Sequence, residues 1–96
     1  MDKSPPPLQP GTLYLVATPI GNLDDVSPRV LEKLGEAELI AAEDTRRTRK
    51  LLSRFDIHTP LTSFFQHNEL QKTDEILRLL REGRTVTLVT DAGMPG

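Results

Sequence analysis

The chain has no cysteine, and its 96 residues include only two histidines, His58 and His67. Disulfides and thiolate metal sites are therefore excluded, and a structural zinc site would lack its preferred ligands, so no metal is expected. No apolar run is long enough to cross a bilayer, and the opening "MDKSPPPLQPG" lacks the apolar centre of a signal peptide. A cytoplasmic protein with no membrane partner is the expectation. Charge of one sign is not in excess either: 12 basic against 14 acidic residues give a net charge of -2, so nothing global announces a nucleic-acid partner. Two phosphate signatures are also missing. No Gly-x4-Gly-Lys-Ser/Thr occurs, and no G-x-G-x-x-G follows the first apolar run.

What the chain does have is a regular alternation of short apolar runs with amphipathic segments. Four of its eight prolines fall in residues 1–10, which read as an extended or disordered tail before a domain at 11–96. Residues 13–17 read as a buried strand. "SPRVLEKLG" then supplies Ser27 as N-cap, Pro28 at the first helical position and Gly35 just past the end. "ELIAA", 38–42, is a second strand. A helix follows from about Thr45 to Phe55, with Leu51, Leu52 and Phe55 on one face.

"LTSFF", 61–65, is the third strand. "NELQKTDEILRLLREG" has Asn68 and Gln71 at capping-box spacing, an Ile76, Leu77, Leu80 stripe and a stop at Gly83. "TVTLVT", 85–90, is the fourth strand. Strands separated by helices build βαβ units, so the fold class is α/β: an open parallel sheet of at least four strands with helices on both faces.

In such a sheet every strand-to-helix loop leaves from the carboxyl edge, where ligands bind beside a switch point in strand order. Those loops are "TPIGNLDD", "EDTRRT", "FQHNE" and "TDAGMPG". The opposite edge has "GEAE", "DIHTP" and "GR", which hold little beyond turn chemistry. The unusual polar residues therefore gather on one edge, and the site is expected there. The two glycines of "DAGMPG" let a ligand approach the backbone. Asp91 beside them suits an amine or hydroxyl better than a phosphate. The chain ends inside this glycine-rich turn, and the α/β unit is expected to continue beyond it.

Four segments in order and at these spacings, "LYLVATPIGNLDDVSPRVLEKL", "LIAAEDTRRTRKLL", "HNE" and "LVTDAGMPG", resemble the tetrapyrrole methylase superfamily. Within it they are most similar to the amino-terminal domain of the ribosomal RNA small subunit methyltransferase I branch. The resemblance covers about residues 11–96. It implies an S-adenosylmethionine-dependent enzyme that 2'-O-methylates a cytidine of small-subunit ribosomal RNA, built from two α/β domains with the cofactor between them, and homodimeric when complete. It places Pro19, Asp91, Ala92, Gly93 and Pro95 towards the cofactor, and "GNLDD", "EDTR" and "HNE" towards RNA. It also makes the first and fourth strands neighbours. The chain departs from the family at Met94, where threonine is usual. With one domain alone, cofactor binding is expected to be weak and activity absent.

Methyl transfer from a sulfonium needs an oxygen nucleophile aligned behind the methyl group, so positioning supplies much of the acceleration. If a base assists, it must reach the ribose hydroxyl. Asn22, Asp24, Glu43, His67 and Glu69 are the unranked catalytic candidates, with Asp25 beside them. Each has a plainer reading: Asp24, Asp25, Glu43 and Asp44 precede helices, whose dipoles favour carboxylates, and Asn68 reads as an N-cap.

"RRTRKLLSR", 46–54, holds five of the twelve basic residues. Such a run is commonly a solvated helix face. As an RNA contact, Arg46 and Arg47 lie nearest the functional edge and are preferred over Arg54. Two other functions stay open: a methyltransferase acting on a small tetrapyrrole-type molecule, and a non-catalytic module binding RNA or protein through the basic helix.

Overall fold

A computed structural model describes residues 11–19, 21–64 and 69–90. The elements are β1 (Thr12–Ala17), α1 (Pro28–Glu36), β2 (Leu39–Ala42), α2 (Thr45–Arg54), β3 (Leu61–Ser63), α3 (Glu69–Arg81) and β4 (Thr85–Thr90), with one 3-10 turn at Leu23–Asp25. The expected alternation is present. The third strand is shorter than expected, ending at Ser63, with Phe64 outside it and Phe65 outside the described residues. The proline-rich tail also lies outside them.

Local chemistry accounts for most boundaries. The Ser27 hydroxyl accepts from the Val30 N–H at 3.2 Å, and Pro28 occupies the first turn, where its missing N–H costs nothing. The Asp44 carboxylate does the same for α2, accepting from the Arg47 N–H at 3.1 Å. That helix ends with Asp56 in the left-handed region at φ 56°, which lets the Ile57 N–H return to the Leu52 carbonyl at 2.8 Å. Gly83, at φ 81°, ends α3 in the same manner. The Asn68 cap expected at its start lies outside the described residues.

The end of α1 corrects the expected glycine stop. Gly35 sits inside the last turn, the helix continues to Glu36, and Ala37 is extended at φ -71°, ψ 148°. No left-handed residue is needed, because threonines from other elements satisfy the terminal carbonyls. The Thr87 hydroxyl donates to the Lys33 carbonyl at 3.0 Å, and the Thr59 hydroxyl donates to the Leu34 carbonyl at 2.8 Å. On α3 the inward stripe also differs from expectation. Ile76, Leu79 and Leu80 pack on the sheet, while Leu77 is 40% exposed.

The sheet is wholly parallel in the order β1-β4-β2-β3. Helices α1 and α2 cover one face, where Val16, Leu34, Ile40, Ala42, Leu51, Leu52 and Val89 form the larger core. Helix α3 covers the other, over Ala41, Val86 and Leu88. The connection from β1 through α1 to β2 passes over β4, which inserts between the two strands. The carboxyl ends of β1 and β4 are therefore adjacent. Ala17 pairs with Thr90, and the Thr18 N–H donates to the Thr90 carbonyl at 3.3 Å. This is the neighbour relation the shared-site argument requires.

Candidate functional site

Across the carboxyl edge the strand ends run Ala17, Thr90, Ala42 and Ser63, in the order β1, β4, β2, β3. Thr18, 4% exposed, and Pro19 continue from β1. Glu43 and Asp44 continue from β2, one strand away across β4. The structure thus brings Pro19, Glu43 and the last described residue of β4, Thr90, to one edge.

The loop after β1 does not stand up from this edge. It runs down alongside α2 and is fixed at two points. Near the start of the helix, Arg47 Nη2 donates to the Pro19 carbonyl. In its last turn, Arg54 grips the Asp24 carboxylate with both arms, Nε to Oδ1 at 2.5 Å and Nη2 to Oδ2 at 2.7 Å. The planar guanidinium matches the carboxylate in this two-point geometry, which fixes orientation as well as charge. Between the two points, Asn22 Oδ1 accepts from the Asp24 N–H at 3.0 Å and opens the 3-10 turn.

These contacts redistribute the expected roles. The hydrogen bond and positive charge of Arg54 hold the Asp24 carboxyl below its usual range, while Asp24 raises Arg54 in return. A carboxylate stabilised in its charged form is a weaker base, so Asp24 is better suited to holding the loop than to taking a proton. Asn22 spends its side-chain oxygen on a cap. Glu43 is exposed at the carboxyl end of β2, which neighbours β4, whereas Glu69 opens α3 on the opposite face of the sheet.

His67, Asp91, Ala92, Gly93, Met94 and Pro95 lie outside the described residues. Arg46 is exposed. Arg47, expected beside it, is turned inward to Pro19.

The loop and α2 together enclose a depression of about 390 Å3 between Gly21, Leu23, Asp44, Arg46, Arg47 and Lys50. Its cationic wall belongs to α2. At the β1–β4 edge the Arg47 guanidinium is already bonded to the Pro19 carbonyl. With that cation committed, the edge suits a zwitterionic nucleoside cofactor such as S-adenosylmethionine better than a polyphosphate. Among the described residues no group of three or more His, Asp or Glu is arranged to hold a metal ion, and no helix is long and apolar enough to cross a membrane.

The features absent from sequence reasoning are the partners across the fold. Arg54 and Asp24 are 30 residues apart, and Thr87 and Lys33 are 54 apart. The one available signal is charge: Arg54 is the single basic residue in the last turn of α2, and "LDD" is the nearest acidic segment in the loop preceding a helix on the same face.

Comparison with known proteins agrees with this architecture. Residues 12–96 match the family model described as Tetrapyrrole (Corrin/Porphyrin) Methylases. Three proteins named ribosomal RNA small subunit methyltransferase I are similar to the chain. That of Halalkalibacterium halodurans is 59% identical over 85 residues, covering 88% of this chain and 29% of the relative. That of Synechocystis is 56% identical, covering 90% and 31%. That of Thermotoga maritima is 53% identical, covering 88% and 38%. The chain therefore spans about a third of the length of these relatives.

Proposed function

Because the chain belongs to the tetrapyrrole methylase family, we propose that it forms the amino-terminal α/β domain of an S-adenosylmethionine-dependent methyltransferase. The enzyme's substrate would be the 2'-hydroxyl of a cytidine in small-subunit ribosomal RNA. The observation that carries this reading is the pairing of β1 with β4, which brings Thr18 and Pro19, at the start of the loop after β1, beside Thr90 at the carboxyl end of β4. The names of the relatives favour ribosomal RNA over a small tetrapyrrole as substrate. The cationic face of α2 favours it too.

S-adenosylmethionine supplies an activated methyl group on a sulfonium. The turn at Pro19 would border it from β1, and Asp91, Ala92, Gly93 and Pro95 from the segment after β4. The protein's own work is then positioning. Arg47 and Arg54 fix the loop after β1, so the rim of the cofactor site is set before substrate arrives. Glu43 is the described carboxylate we favour to accept the ribose proton, since Asp24 is neutralised by Arg54 and Glu69 opens α3 on the face of the sheet opposite α2. In this reading the enzyme acts in the cytoplasm as a homodimer on the small ribosomal subunit or its RNA.

Calorimetric titration of S-adenosylmethionine into the intact protein, followed by transfer of labelled methyl to small-subunit ribosomal RNA, tests the proposal. Binding followed by label in a cytidine ribose is expected. Label entering a tetrapyrrole and not RNA would replace the substrate, and no cofactor binding would leave a non-catalytic module. Asn22→Ala should lower methylation with little loss of stability, because its cap serves only a three-residue turn; unchanged turnover would return Asn22 to a purely structural role.

A further inference from the structure

Helix α2, "TRRTRKLLSR", divides its polar residues by direction. Thr48, Leu51 and Leu52 face the core. Arg47 and Arg54 reach sideways to Pro19 and Asp24. The remaining cations, Arg46, Arg49 and Lys50, are exposed, and among the described residues no ion pair engages them. Their spacing, with Ser53, is i, i+3, i+4 and i+7, which places all four in one stripe on the solvent side.

The surface along that stripe is concave. The depression at Gly21 and Leu23 shares Arg46 and Lys50 with a second of about 360 Å3 lined by Arg46, Arg49, Lys50 and Ser53. The second shares Arg49 and Ser53 with a third of about 300 Å3 that reaches His58 and Thr59. The three depressions adjoin one another along the helix, from the carboxyl edge of the sheet to the opposite edge, and together outline a shallow channel. For ten residues that is about 15 Å. The acidic groups lining it are engaged: the Asp44 carboxylate accepts from the Arg47 N–H at 3.1 Å, and Asp56 pairs with His58 at 2.9 Å.

We infer that this channel is a track for the RNA backbone, in which Arg46, Arg49 and Lys50 each meet a phosphate as the strand leads towards the β1–β4 edge. Arg47 and Arg54 are positioning residues that hold the loop forming the channel's wall. The inference rests on the RNA-methyltransferase reading and deepens it. It replaces Arg47 by Arg49 and Lys50 among the phosphate contacts, and extends the interface along the whole helix. Cations on one stripe with a polyanion running beside them give sequence-independent, salt-sensitive affinity, which suits a surface that positions a strand while the base and ribose are read elsewhere.

The test measures binding of a small-subunit ribosomal RNA transcript to the intact protein by fluorescence anisotropy, between about 50 and 200 mM salt. The Arg46→Gln, Arg49→Gln and Lys50→Gln variants are measured singly and together, with Arg54→Gln for comparison. Each lost contact to a single strand should lower the slope of log affinity against log salt by about 0.7, which is about fivefold in affinity at 0.1 M salt; the triple variant should lose about 2 in slope. S-adenosylmethionine binding and thermal stability should stay at wild-type values in the triple variant, since these side chains make no hydrogen bond or ion pair among the described residues. Arg54→Gln should loosen the loop and leave the slope within about 0.2 of wild type. An unchanged slope in the triple variant, or an equal fall in Arg54→Gln, overturns the track while leaving the RNA reading intact. Absence of RNA binding by the wild-type protein overturns both.

Discussion

The same substitution, threonine to valine, should have opposite effects at two buried positions. Thr48 and Thr87 are both fully buried. The Thr87 hydroxyl donates to the Lys33 carbonyl at 3.0 Å, whereas the Thr48 hydroxyl has no hydrogen-bond partner among the described residues. A buried hydroxyl without a partner costs about 1–3 kcal/mol, and an apolar group of the same shape removes that cost. Valine keeps the β-branched outline, and its helix propensity is close to that of threonine. Thr48→Val should therefore stabilise the fold by about 1 kcal/mol or more. At position 87 valine suits the strand, but it leaves a terminal helix carbonyl unpaired in the core. Thr87→Val should destabilise by about 1–2 kcal/mol. Urea unfolding followed by far-ultraviolet circular dichroism reads both. In a domain of this size each kcal/mol also moves Tm by about 4–8 °C. Loss of stability in Thr48→Val would refute the reasoning, because it would mean that the Thr48 hydroxyl is bonded in solution.

Other substitutions probe the backbone and the clamp. Gly35→Ala should stabilise α1 by about 0.5–1 kcal/mol, since a Cβ there meets nothing within 4 Å and the position is helical; a lower Tm would restore the expected stop role. Gly11→Ala should cost about 1–3 kcal/mol. Its Cβ would clash with the Arg84 carbonyl oxygen and lie 2.8 Å from Leu80 Cα, both backbone atoms, and Tm in the variant checks the loss. Asp24 titrates lower in the folded chain than in the unfolded one. Its pairing therefore contributes stability that is fully present above the ordinary carboxylate range and disappears as pH falls through the lower folded value. Stability measured from neutral to strongly acid pH should show that loss in the wild type. Arg54→Gln should lose the Asp24 contribution to it, and identical profiles would argue that the pair is not formed.

How much of this is legible in the chain depends on the range of the interaction. Helix starts are local: Ser27 and Asp44 cap within three residues, so their side chains announce the helices that follow. Strands announce themselves by apolar runs, and βαβ alternation fixes a parallel sheet and the edge from which the loops leave. The α1 terminus is not local. Gly35 looks like a stop because glycine usually is one, but the carbonyls that a left-handed glycine would have served are met by Thr59 and Thr87 from elsewhere in the chain. Leu77 fails for a related reason. Ile76, Leu77 and Leu80 satisfy helical spacing as well as Ile76, Leu79 and Leu80 do, and only the position of β4 beneath α3 selects between them.

The polar wealth of "TPIGNLDD" has the same explanation. By position at the carboxyl edge each of its polar side chains is a candidate for chemistry, yet Asn22 caps a turn, Asp24 is held by Arg54, and the Pro19 carbonyl is held by Arg47. A loop this long between a strand and a helix must satisfy its own backbone or be secured by neighbours, and this one is secured by two arginines of α2. Those arginines are then unavailable to RNA unless the loop is released, which would forfeit the bidentate pair and the carbonyl contact together. Binding to the cations that have no such partner, Arg46, Arg49 and Lys50, requires no rearrangement. On the proposed reading one basic helix serves two purposes by facing two ways, and a substitution that affects RNA affinity without affecting the loop is expected to come from its outer stripe.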